Sequence, residues 1–145
     1  MKFKKILIAV DPSAFSAHAA GAGLDLAQQL DAEVAFVTVV DPAVTQAAAD
    51  SGVPAEGWMA MAQRDAKDLL HDFRSRAPAT RPALEFVETG NPVKKILEAA
   101  RNWPADLIVM GTHGRGAVGS ILVGSVAQGV LRQAHCPVMV LCAQK

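Results

Sequence analysis

Five short aliphatic runs, alternating with stretches of helical periodicity, constrain this chain more than any other feature. They lie at residues 3–10, 33–40, 83–88, 106–110 and 137–142. Each is nearly continuous in apolar residues, as expected of a strand covered on both faces. Asp11-Pro12 and Asp41-Pro42 close the first two. The intervening stretches repeat at helical spacing. In the small-residue segment that follows Ser13, Ala20, Leu24, Ala27 and Leu30 recur at helical spacing. Over 54–77 the face carries Trp58, Met61, Ala62, Leu69, Leu70 and Phe73, read as core. Asn91-Pro92 opens a third helix as N-cap and first helical residue, with Val93, Ile96, Leu97 and Ala100 inward and Lys94 and Lys95 outward. The fourth, 124–134, turns Val126, Val130 and Leu131 inward, and residues 43–53 read as a loop.

Strict alternation of strand and helix predicts an α/β fold: a five-stranded parallel sheet of order 3-2-1-4-5, Rossmann-like, with helices on both faces. Ligands of such sheets bind outside the carboxyl ends of the strands, where strand order reverses. Strand one ends at Asp11 and strand four at Gly111. If these strands are neighbours, both residues face one ligand.

The 145 residues are expected to form one domain, 1–145, large enough for a self-sufficient core. No apolar run approaches the ~20 residues that span a bilayer, so no membrane partner is expected. The basic, then apolar, start has too short an apolar stretch before Asp11 for a secretory signal and reads as a buried strand. Cys136 and Cys142 make neither a CxxC nor a zinc spacing. A reduced, cytoplasmic setting fits, with Cys136 a buried, inert thiol and no metal ligands. Formal net charge is zero and tyrosine is absent. That argues against nucleic acid, which calls for a basic stripe or stacking aromatics.

Residues 111–125 read GTHGRGAVGSILVGS, and from Leu107 to the end there is no Asp or Glu. A strand, a glycine-rich turn and a helix start bring N–H groups and the helix dipole together, so the stretch reads as a phosphate cradle. Gly114, Gly116 and Gly119 spell GxGxxG. A dinucleotide fingerprint would need a following βαβ unit and a downstream acid, and it is rejected. The lysine of a phosphate-binding P-loop is also missing. Two structural alternatives stand beside the cradle: the glycines could serve only close packing, and Asp11 could serve only as a turn starter.

Gly111, Gly114, Gly124 and Ser125 follow the pattern Gly-x-x-Gly, nine residues, Gly-Ser. With KKILIAVDPS, VTVVDP, ADLIVMGTHGRG and HCPVMVL in order along the chain, the sequence resembles the ATP-binding branch of the universal stress protein family. The resemblance implies a five-stranded parallel sheet, a homodimer, and ATP held between the first and fourth strands. It implies that Ala9, Val10 and Asp11 meet the adenosine end and the backbone at Val39 meets adenine. Met110, Gly111, His113, Gly114 and Arg115 would line the ribose and phosphate path, and Gly124, Ser125 and Val126 would take the phosphates. Pro12 departs from the glycine commoner in the family. Chemistry is consistent with each role. Gly124 leaves room for a phosphate, Ser125 offers a hydroxyl and an N–H, and Arg115 offers a charge-assisted contact. Asp11 suits a sugar hydroxyl or a bound Mg²⁺.

No general base or loop lysine is evident, and no catalytic residue is assigned; His113 reads as pocket lining. The expected function is ATP binding, with the nucleotide a regulatory or conformational ligand in a stress response. The alternatives are a slow ATPase in the same pocket, or a nucleotide-free dimer that binds a protein partner of unknown identity. The apolar strand 137–142 would end the sheet, and pairing with its own copy would cover that edge.

Overall fold

A computed structural model describes residues 1–44, 50, 52, 54–112 and 123–142. The elements run β1 (Lys5–Ala9), α1 (Ala14–Leu30), β2 (Glu33–Val40), α2 (Ala55–Arg74), β3 (Leu84–Thr89), α3 (Pro92–Asn102), β4 (Leu107–Gly111), α4 (Ser125–Gln133) and β5 (Val138–Leu141). One five-stranded sheet has the order β3-β2-β1-β4-β5, and every pairing is parallel. The expected fold class is therefore observed. Of the expected loop at 43–53, residues 43 and 44 belong to a helical turn begun at Pro42, and most of the rest lies outside the described residues.

Side-chain alternation divides the core into two layers, since successive strand residues point to opposite faces. Ile6, Ile8, Val34, Phe36, Leu107 and Val109 pack under α1 and α2 with Ala20, Ala27, Leu70 and Phe73. Leu7, Ala9, Ala35, Val37, Ile108 and Met110 pack under α3 and α4 with Ile96, Leu97, Ala100, Ala127 and Val130. Phe36 and Phe73 stack with centroids 5.8 Å apart, tying β2 to α2. The small residues of α1 let it lie close on the sheet: a Cβ at Gly23 would stand 2.6 Å from Ile8 Cδ1.

Several expected inward positions face solvent instead. Leu30, Met61 and Leu131 are exposed, while Trp58 is only partly covered. Leu30 lies on the last turn of α1, and on α2 it is Leu70 and Phe73, with Leu69 beside them, that join the core under the sheet. The inward face of α4 is Ala127 and Val130. Asn91 does cap α3, its Oδ1 accepting from Lys94 N–H at 3.1 Å, with Pro92 following.

Two clasps hold the amino-terminal ends of the strands. Asp106 Oδ2 accepts from the N–H groups of Lys4 and Lys5 at 2.7 and 2.9 Å. Arg81 donates to Ala32 O at 2.7 Å and pairs with Asp31, the residue that ends α1 in left-handed backbone.

Candidate functional site

The register that pairs Ile8 with Val109 makes β1 and β4 neighbours, so Asp11 and Gly111 leave the sheet at the same carboxyl rim. There the strand order reverses: β1 leads to β2 on one side, and β4 leads to β5 on the other. The side chains of Ala9, Val39 and Met110 belong to the layer under α3 and α4, with Val126 packed against it. Val10 faces the opposite layer and donates its N–H to Val37 O at 2.9 Å.

Asp11 is braced. Its Oδ1 accepts from Ser13 N–H at 2.8 Å and from Ser16 Oγ–H at 3.0 Å, while its own N–H donates to Ser16 Oγ at 2.7 Å. The turn-starting role is thus real, and the same bonds fix the carboxylate at the rim. Ser16 is buried and was missed in the sequence reading; the D-x-S-x-x-S spacing at a helix start is its signal. Ser13 Oγ lies buried without a hydrogen-bond partner among the described residues. A buried hydroxyl in that condition is uncommon and fits a site whose ligand supplies the missing partner.

Gly111 has a steric reason for being glycine. A Cβ there would meet Phe15 Cβ at 2.8 Å and Phe15 O at 3.1 Å, so α1 and β4 can approach only without it. Its backbone is not left-handed; Gly52 and Gly90 are the described glycines with positive φ. Thr112, buried next to it, donates its N–H to Leu141 O at 3.0 Å and accepts from Gly124 N–H at 2.6 Å. That last bond draws together the two ends of the glycine-rich segment. His113, Gly114 and Arg115 lie outside the described residues.

Gly124 is the N-cap of α4 and, as glycine, has no side chain with which to cap it. Its first turn holds no acidic residue. Amide groups at a helix start lack intrahelical acceptors and carry partial positive charge, each favourable contact with an anion contributing about 0.3–1 kcal/mol. Ser125 is exposed at that turn, and Gln128 Nε2 steadies the entry by donating to Val123 O at 2.9 Å. The rim thus joins a fixed carboxylate, a hydroxyl unpartnered among the described residues, and a helix start with glycine at its N-cap. Such a donor set fits a ligand with hydroxyls at one end and anionic oxygens at the other. Among the described residues no three His, Cys, Asp or Glu side chains gather as a metal site.

A surface cleft of about 500 Å³ between α2 and β3 is lined by Lys67, Asp68, Leu70, His71, Glu85 and Val87. Its charges are of mixed sign, and no helix begins there. The anion-binding features all belong to the carboxyl rim.

A doubly wound parallel sheet with a crevice at its carboxyl rim is the architecture of the small-ligand-binding α/β proteins. Comparison with known proteins narrows this further. The profile of the Universal stress protein family matches residues 2–141, and the chain belongs to that family. Universal stress protein MJ0531 of Methanocaldococcus jannaschii is 38% identical over 147 residues, covering 96% of this chain and 82% of the relative. The solved structure of the hypothetical protein MJ0577 superposes with a TM-score of 0.87 at 22% identity, covering 100% of this chain and 99% of that one. A universal stress protein solved in complex with cAMP superposes with a TM-score of 0.65 at 22% identity, covering 98% of each chain. At such identities these two structures speak to the fold.

Proposed function

We propose that this chain binds ATP across the carboxyl rim of β1 and β4, and that the nucleotide acts as a regulatory ligand of a cytoplasmic homodimeric stress protein. The observation that carries this reading is the start of α4: glycine at the N-cap, no acid in the first turn, and the Thr112–Gly124 bond holding it at the rim that Asp11 shares. The triphosphate would lie against Gly124, Ser125 and Val126, the ribose against Asp11 with Met110 and Gly111 along its path, and the adenine beside Val39. His113, Gly114 and Arg115 belong to the same path on the sequence reading. The cAMP complex of a structurally similar protein supports an adenine nucleotide as the class of ligand.

The test is to purify the protein, denature it and identify the nucleotide released. Recovered ATP is the expected result. Predominant ADP with steady phosphate release would favour a slow ATPase, and no nucleotide, even after incubation with ATP, would overturn the reading. Gly124 has φ −70° and ψ 166°, backbone that valine adopts without strain. Gly124→Val should therefore keep the fold and lose ATP affinity by at least tenfold, about 1.4 kcal/mol. Unchanged affinity in a titration of that variant would refute the placement of the phosphates.

A further inference from the structure

We propose that the outer edge of β3, with the cleft beside α2, docks an extended peptide of a partner protein. The peptide adds to the sheet as an antiparallel sixth strand, and its core reads basic, apolar, apolar. None of the residues assigned to the nucleotide takes part, so this docking edge stands or falls apart from ATP binding.

The backbone of β3 sets the mode of binding. Gly90 N–H donates to Val40 O at 3.0 Å, so its main-chain groups face β2. Groups of alternate residues in a strand point the same way. Those of Phe86 and Glu88 therefore face β2 as well, and those of Glu85, Val87 and Thr89 face outward. β3 ends the sheet, and among the described residues no main-chain partner meets these three. The register with β2 runs unbroken from Leu84 to Thr89, so no bulge blunts the edge. A row of free donors and acceptors at that spacing is a template for another strand.

The cleft sets which side chains fit. Two ties hold α2 along β3: Gln63 Nε2 donates to Thr89 Oγ1 at 3.4 Å, and Arg74 pairs with Glu85 at 3.2 Å. Between these ties lies the cleft of about 500 Å³, with Leu70 and Val87 among its lining residues. Residues opposite each other on paired strands share a face. The peptide residue opposite Val87 therefore meets the cleft, where an apolar side chain can cover Leu70 and Val87. Its two neighbours fall on the other face, opposite Phe86 and Glu88. There Leu84 is 48% exposed and Phe86 is half-buried, which suits a second apolar residue.

Charge decides the remaining position. Glu85 is taken by Arg74, but Glu88 enters no ion pair among the described residues. Lys95, whose side chain lies against Gly90, is paired with Glu98 at 3.2 Å. A lysine or arginine opposite Glu88 supplies the missing cation. The same acids that discourage a like strand, carrying its own Glu85 and Glu88, favour a basic one. Antiparallel pairing is the stronger ladder per residue, and it orders the peptide as basic, cleft-filling, apolar.

The experiment selects a displayed octapeptide library on the full chain, then titrates the enriched peptide in synthetic form. Enrichment of basic-apolar-apolar sequences is expected, with amide shifts in ¹⁵N spectra centred on Glu85, Val87 and Thr89. Two N-methylated forms of the peptide test the ladder without altering the protein. Methyl groups on the cleft-filling residue and the residue two further on should cost about tenfold or more in affinity. Methyl groups on the two residues flanking the cleft-filling one, which point away from β3, should leave affinity unchanged. Glu88→Lys should weaken the basic peptide about fivefold and turn a repeated selection towards acidic residues at that position. A library without binders overturns the proposal. So does equal loss from both methylation patterns, shifts centred away from β3, or a selection that Glu88→Lys leaves unchanged.

Discussion

At the scale of single residues, the carboxyl rim holds a carboxylate through one hydroxyl and one backbone N–H. Ser16 accepts from Asp11 N–H and donates to Asp11 Oδ1, closing a small ring that limits where the carboxylate can point. Removing its hydroxyl strands a backbone N–H and loosens the acid. Ser16→Ala should cost about 1–3 kcal/mol in denaturant titration and weaken ATP binding several-fold in calorimetry. If affinity is untouched while stability falls, the ring is only a helix-start brace. Asp11 itself was legible because an acid ending an apolar strand is conspicuous. Its serine partners were harder to read, since hydroxyl-to-turn bonds leave no periodic mark. Gly111 shows the reverse. It was read as part of a phosphate cradle with close packing as the alternative, and its geometry answers to Phe15, a partner that no local pattern in the chain reveals.

At the scale of elements, fit between helices depends on which glycines touch something. A Cβ at Gly129 on α4 would stand 2.7 Å from Val93 Cγ2 on α3, whereas at Gly21 on α1 nothing lies within 4 Å. The two sites should therefore respond with opposite sign. Gly129→Val should lower stability by about 1–3 kcal/mol through overpacking. Gly21→Ala should raise it by about 0.5–1 kcal/mol through helix propensity and a less free unfolded chain. Thermal unfolding of both variants checks the contrast, and equal shifts would contradict the packing described. The number, type and order of elements were readable because doubly covered strands and one-sided helices have different periods. The outward turn of Leu30, Met61 and Leu131 was not, because each apolar pattern includes residues beyond the patch of sheet its helix covers. Strand limits also shifted, as at Ala83 and Asp106, which precede β3 and β4.

At the scale of the whole molecule, the two edges of the sheet differ. β3 carries Glu85 and Glu88, and acidic residues on an edge discourage pairing with another chain. β5 has the sequence VMVL, and no strand covers its outer edge among the described residues. Self-association is therefore expected at β5. The double variant Val138→Asp, Val140→Asp should weaken dimerisation at least a hundredfold, about 3 kcal/mol. Sedimentation in reductant measures this, and a variant that stays dimeric would move the seam elsewhere.

The bond from Gly124 N–H to Thr112 O has a consequence for how such chains diversify. Whatever is inserted or exchanged between those two positions begins and ends at a common hinge post. The β4 register and the axis of α4 need not shift to accommodate it. Lengthening a segment between tied ends adds only about 0.6 kcal/mol of closure entropy per doubling. Related proteins can thus trade this span as a cassette while leaving the scaffold untouched.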